Sequence, residues 1–326
     1  MESRRARRSR RARSSRRRPL LYTALATVAV LGVTAGGTAY VKAQAHSGGG
    51  AVSSSSAAPS ASASESTQEA SVEPVAVPEV DYDALLAEAM KSVTVPGRAK
   101  VSVAVLDVES GESATYGDAA FDTASIVKVD ILATLLLQAQ DEGRHLTATE
   151  KSDATAMIEN SDNTSASELW RTIGKAKGLD AANERFGLTG TEGGDDMLWG
   201  LTQTTAADQL TLLQQVFGDD SELSEASQSY IQGLMGQIAA DQHWGVSAAA
   251  DGSSWALKNG WLARSTTGLW DINSIGRVTA DGRTYWVAVL SNGNATQAKG
   301  ISLVEAAAKA AVSAFADESA SAEATR

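Results

Sequence analysis

Ser125-Ile126-Val127-Lys128, inside the stretch Asp122-Thr123-Ala124-Ser125-Ile126-Val127-Lys128-Val129-Asp130-Ile131-Leu132, decides how this 326-residue chain is read. A serine and a lysine three apart on a helix share one face, one turn from each other. The amine can reach the hydroxyl and help remove its proton, which activates an otherwise weak nucleophile. Lys128 stands among Ile126, Val127, Val129, Ile131 and Leu132, so solvated surface explains it poorly; burial would lower its pKa toward that of a general base. Asp122-Thr123-Ala124 supply cap residues, and Ser125 at the helix start has its N–H in a field that favours a developing oxyanion. Alone, S-x-x-K is a weak signal in a chain rich in Ser and Ala. Its weight comes from two partners later in the chain: Ser161-Asp162-Asn163, then Lys258-Asn259-Gly260 beside β-like sequence.

Around these motifs the pattern is strands at both ends and helices between. Tyr82 to Lys91 has helical spacing of Leu85, Leu86 and Met90, and Val101 to Leu106 alternates as a half-buried strand with a turn at Ser110-Gly111. Helical segments run from Ser125 to about Ala240. Trp255–Lys258, Trp270–Thr279 and Tyr285–Ser291 read as strands, with turns at Asn259-Gly260 and Asp281-Gly282. Ala298 to Phe315 reads as a closing helix. The expected fold is α+β: one antiparallel sheet, flanked by the terminal helices, with an inserted all-helical lobe.

Composition divides the chain further. Residues 1–18 hold ten Arg and one Glu, a local charge of +9 in a chain of net −11, so the rest carries about −20. Pro19 to Val41 has no charged residue, and about 23 residues at 1.5 Å each can cross a ~30 Å hydrocarbon core. We read 1–18 as a basic cytoplasmic tail and 19–42 as a signal anchor, or a signal peptide cleaved after Ala43-Gln44-Ala45. Both place the folded part outside the cytoplasm, at the cell membrane or secreted, and the position of the Arg run argues against nucleic acid as its partner. Residues 43–80, rich in Ser and Ala, bury too little apolar surface to order and read as a disordered linker. Residues 81–315 form the domain and 316–326 a disordered tail. With no cysteine, disulfides, thiolate metal sites and a Cys nucleophile are excluded. His46, His145 and His243 stand in no metal-binding spacing, so no metal and no cofactor is expected.

The three motifs resemble those of serine β-lactamases and penicillin-binding proteins, specifically the class A β-lactamase-like branch, over roughly residues 80 to 315. The resemblance implies the same α+β layout, with the site in the cleft between sheet and helical lobe. It implies that Ser125 is the nucleophile, Lys128 its activator, Ser161 the proton relay to the leaving nitrogen, and Lys258 a positive charge for a substrate carboxylate. It further implies that Asn163 holds the substrate amide, Asp162 braces its loop, Gly260 lets substrate approach the backbone, and the Trp261 N–H is a second oxyanion donor.

Two departures accompany the resemblance. Lys258-Asn259-Gly260 replaces the family's Lys-Thr/Ser-Gly, so Asn259 would have to serve the substrate carboxylate with an amide. No E-x-x-L-N loop precedes Leu201-Thr202-Gln203-Thr204-Thr205; Glu192, Asp195 and Asp196 in GTEGGDDMLWG are the available carboxylates, and a solvated acidic loop is the simpler reading. The expected function is an extracytoplasmic serine hydrolase acting on a β-lactam or related amide or peptide, with slow deacylation. A D,D-peptidase acting on peptidoglycan, or a cell-envelope binding module that lost turnover, remain alternatives. A monomer is expected.

Overall fold

The computed structural model describes residues 80–323. The basic tail, the apolar span 19–41 and nearly all of the linker lie outside them. Among the described residues no helix is long and apolar enough to cross a membrane.

The chain opens with helix α1 (Tyr82–Met90) and strands β1 (Lys100–Asp107) and β2 (Ser113–Tyr116). A short strand β3 (Phe121–Asp122) leads into the helices α2 (Val127–Asp141), α3 (Ala148–Glu159), α4 (Asn163–Thr172) and α5 (Lys175–Phe186). Strand β4 (Gln203–Thr204) pairs with β3, and helices α6 (Ala206–Phe217) and α7 (Glu225–Met235) complete the helical part. Strands β5 (Trp255–Ala263), β6 (Trp270–Ala280) and β7 (Arg283–Asn294) then precede helix α8 (Gln297–Glu323).

The main sheet has the order β2-β1-β7-β6-β5 and is antiparallel throughout. Strands from the two ends of the domain therefore meet at its centre, where β1 pairs with β7. Side chains alternate across the sheet. Val103, Val105, Val287 and Val289 pack with Leu86, Met90, Val304 and Phe315 of the terminal helices. Their neighbours Ala104, Leu106, Ala288 and Leu290 join the core of the helical lobe. This is the α+β fold expected from the sequence.

Three details differ from expectation. Residues 103–107 of β1 are buried on both faces, because the helical lobe covers the face that alternation leaves to solvent, and Ala104 is small enough to fit beneath it. Asn259-Gly260 is no turn but the middle of β5, whose register runs unbroken from Trp255 opposite Val278 to Ala263 opposite Trp270. The C-terminal tail does not leave the helix at residue 316; α8 continues to Glu323 through Ala- and Glu-rich sequence of high helix propensity.

Leu86 is fully buried between α1, the sheet and α8. Leu86→Ala should cost about 2–5 kcal/mol, the range for a core cavity that collapses incompletely. Guanidinium unfolding of both proteins measures it; a loss below ~1 kcal/mol would mean that α1 is not part of the core.

Candidate active site

Ser125 sits in a 3₁₀ turn, Ala124–Ile126, immediately ahead of α2. The expected capping by Asp122 and Thr123 is not what holds it. Asp122 ends β3, with its carboxylate bound by Gln203 and Arg264, and Thr123 makes no side-chain cap bond. Ala124 instead adopts the left-handed conformation, φ 49°. That conformation costs a non-glycine residue roughly 1 kcal/mol, so the surroundings must impose it. Asn273 Nδ2 donates to the carbonyls of Asp122 and Thr123, both at 2.9 Å, and the Thr123 N–H donates to Thr202 O at 2.9 Å. Edge strand β5 closes the turn from the other side. A Cβ on Gly260 would lie 2.7 Å from Thr123 O and 2.9 Å from the backbone nitrogens of Ser125 and Ile126. Only glycine lets the strand come this close.

Ser161 joins α3 to α4 and is also left-handed, φ 55°. Helices often end on such a residue, usually glycine. Here a serine holds the place, and its carbonyl and hydroxyl both face the site. Asp162 follows as N-cap of α4, accepting from Ser165 N at 2.7 Å; the bracing expected of it is this cap.

Lys128 connects these pieces. Its Nζ lies 3.0 Å from Ser125 Oγ, 3.0 Å from Ser161 Oγ, 2.7 Å from Ser161 O and 2.8 Å from Asn163 Oδ1. An ammonium has three protons and no acceptor capacity, so it cannot donate separate bonds to four oxygens. A neutral amine also makes three bonds, donating to the two carbonyl oxygens and accepting from one hydroxyl. In either form one of the four oxygens is a neighbour without a bond of its own. Lys128 is fully buried, and burial pushes its pKa from the usual lysine range down to about 7, against the opposing pull of the Asp162 carboxylate. Lys258, equally buried, donates to Ser161 Oγ at 3.0 Å and to Asn259 O at 2.9 Å. Burial, reinforced by Lys128, holds its pKa well below the lysine range.

Asn259 is the site residue that the structure moves. Its side chain turns into the protein, where Nδ2 donates to Gln242 O at 2.8 Å and Trp244 O at 3.0 Å. It is fully buried and not available to substrate, because the amide is consumed in fastening residues 242–244 under β5. Trp261, half-buried on β5, places its ring 5.9 Å from Lys258 Nζ.

The loop from Gly187 to Thr205 forms the facing wall. Its backbone is pinned at Glu192–Gln203 (both N···O 2.9 Å), at Gly193 N to Asp180 Oδ1 (2.8 Å) and at Gly194 N to Thr202 Oγ1 (3.1 Å). The side chains of Glu192, Asp195 and Asp196 are exposed, and none hydrogen-bonds Lys128 or Ser125 among the described residues. Beside Lys128 stands Trp199, its ring centroid 5.0 Å from Nζ and its Nε1 donating to Ser167 Oγ at 3.1 Å. The sequence reading missed Trp199 and Asn273. The first was a lone aromatic in a Gly-rich loop; the second had no signal, being one polar residue inside a strand.

The family model described as the β-lactamase enzyme family matches residues 151–315, just over half of the chain. This chain belongs to the β-lactamase enzyme family. It is a serine hydrolase of β-lactamase type. No curated protein sequence matches it. Among solved structures it is similar to PBP-A (TM-score 0.63, 20% identity, covering 74% of this chain and 99% of that one). It is similar also to the TLA-1 extended-spectrum β-lactamase (0.62, 16%, 72% and 98%) and to a β-lactamase from Chitinophaga pinensis (0.59, 17%, 70% and 97%). A PBP-A mutant solved as an acyl-enzyme complex with penicillin G is similar at TM-score 0.62 and 20% identity, over 72% of this chain and 97% of that one. At these identities the likeness shows the fold.

Gly260→Ala should destabilise by about 1–3 kcal/mol, because its neighbours are backbone atoms that cannot yield. Gly233 on α7 has nothing within 4 Å, so Gly233→Ala serves as a control that leaves stability unchanged or raises it. Thermal unfolding of both variants checks this; equal midpoints would contradict the close approach of β5 to the nucleophile turn.

Proposed function

We propose that this protein is an extracytoplasmic hydrolase that forms an acyl-enzyme on Ser125 from a β-lactam or a related amide or peptide, and releases it slowly. The observation that carries the proposal is Lys128 Nζ at 3.0 Å from both Ser125 Oγ and Ser161 Oγ, with Lys258 Nζ at 3.0 Å from the same Ser161 hydroxyl.

In this reading Lys128 removes the Ser125 proton as Oγ attacks the carbonyl carbon. The backbone N–H groups of Ser125 and Trp261 stabilise the oxyanion. When the C–N bond breaks, the leaving nitrogen takes a proton from the Ser161 hydroxyl, which Lys128 restores, with Lys258 fixing the orientation of that hydroxyl. Asn163 positions the substrate amide. Every atom balances: an O–C bond forms, a C–N bond breaks, and the serine proton ends on nitrogen. The Arg-rich residues 1–18 ahead of the apolar residues 19–41 support anchoring in, or export across, a membrane.

Deacylation needs a second base over a water. Trp199 stands beside Lys128, and the carboxylates of the loop are exposed. That arrangement favours a long-lived acyl-enzyme and also supports a second reading, a penicillin-binding module with little turnover.

Mixing the protein with penicillin G should give a covalent adduct, seen by intact-mass spectrometry, that persists far longer than one turnover of an efficient β-lactamase and is absent in Ser125→Ala. Lys128→Ala should slow its formation by about 10²-fold or more, the cost of losing a general base. Rapid multiple turnover would place a deacylating base in the loop after all, and equal labelling of Lys128→Ala would remove Lys128 from the chemistry.

A further inference from the structure

We propose that this cleft takes acyl donors that are neutral next to the scissile bond and apolar or aromatic in their bulk, and does not read a substrate carboxylate. The inference rests on the acyl-enzyme reading of Ser125 and names the class of substrate that the same site accepts.

A carboxylate entering a partly buried cleft must exchange its hydration for charged or well-aimed donors. The amide and cationic side chains around Ser161 and at the end of β5 are already engaged. Asn259 spends its amide on Gln242 O and Trp244 O and faces away from the cleft. Lys258 is fully buried, its Nζ donating to Ser161 Oγ and Asn259 O. Lys128 is likewise buried and engaged by Ser125, Ser161 and Asn163. Arg264, just past the end of β5, is held between the carboxylates of Asp122 and Asp271. The facing loop, residues 187–205, contains no Lys or Arg, and its charges are the acids Glu192, Asp195 and Asp196. A substrate anion would therefore meet groups already engaged on one wall, and on the other a loop that offers no cation and whose acids are exposed.

What the walls do offer is aromatic surface. Trp199 from the loop is half-buried with its ring 5.0 Å from Lys128 Nζ. Trp261 on β5, also half-buried, has its ring 5.9 Å from Lys258 Nζ and leans edge-on against Trp244, centroids 6.0 Å apart. Indoles so placed favour flat, apolar groups, which bury well against an aromatic face without a charge to desolvate. A charge-assisted hydrogen bond to an anion would give a preference on the order of tenfold to a hundredfold. Without one, that preference is absent and the penalty for desolvating the anion remains.

One β-lactam and its ester isolate this feature, because ring opening is identical in both. The Ser125 Oγ–C bond forms, the ring C–N bond breaks and the serine proton passes to the ring nitrogen, whether or not the distant carboxyl is esterified. The full-length protein is mixed with benzylpenicillin or with benzylpenicillin methyl ester, and the acylated fraction is followed by intact-mass spectrometry. Each rate is divided by the compound's own hydroxide-catalysed ring-opening rate, which removes differences in intrinsic reactivity. The ester is expected to acylate Ser125 as fast as the acid, within about threefold, or faster, since no charged anchor is lost. A preference for the free acid of about tenfold or more would overturn the inference while leaving the acyl-enzyme reading intact. No adduct from either compound would overturn the acyl-enzyme reading, and this inference with it.

Discussion

Two buried amines sharing one hydroxyl are the constraint on which the rest of the site depends. Lys128 and Lys258 approach Ser161 Oγ from opposite lobes, each at 3.0 Å, and both are sealed from solvent. Two ammonium ions so close and so poorly hydrated would repel each other at a cost that burial magnifies. Burial lowers both pKa values, and the neighbouring Lys128 lowers that of Lys258 further. The same burial suits Lys128 to the role of base proposed for it. Carbonyl oxygens of Ser161 and Asn259 take up the remaining N–H groups, so the amines are satisfied without a carboxylate ligand.

The backbone is built to bring these groups together, and it does so at close quarters. Left-handed turns at Ala124 and Ser161 aim the two serines at Lys128, and Asn273 and Gly260 keep the first of those turns in place. At the nucleophile turn sheet and helical lobe thus meet through a glycine contact and hydrogen bonds to the backbone, while elsewhere they share an apolar core. Asn259 belongs to this framework, since its amide fixes residues 242–244 beneath β5. A position whose family counterpart carries a hydroxyl for substrate has here become part of the scaffold. The loop from Gly187 to Thr205 shows the same exchange: it is firmly pinned, yet it presents an indole to Lys128 and turns its acids to solvent.

Much of this was legible in the sequence, and for identifiable reasons. Ser125, Lys128, Ser161, Asn163 and Lys258 converge as the motif order implied, because a serine and lysine one turn apart and a polar break between helices are local patterns with local causes. The sheet was readable from strands at both ends of the domain. What escaped depended on non-local packing. Asn259-Gly260 looked like a turn because its composition is that of one, and only pairing with Asn273 and Ser274 on β6 makes it a strand. The inward path of the Asn259 side chain, the Ala124 distortion and the approach of Trp199 are set by chain segments some 15 to 150 residues away in sequence. No window around those residues carries that information.

The central claim, that burial makes Lys128 the base for Ser125, is tested most directly by the rate of Ser125 acylation as a function of pH. A neutral, non-titrating acylating probe confines the titration to the enzyme. Only the unprotonated amine can accept the proton, so the rate should rise with pH, bend near 7 and level off above it. Two units below that pKa the rate should be about a hundredfold under the plateau, because each unit cuts the free amine about tenfold. A rate still climbing toward pH 10, as an ordinary solvated lysine would give, would contradict the account.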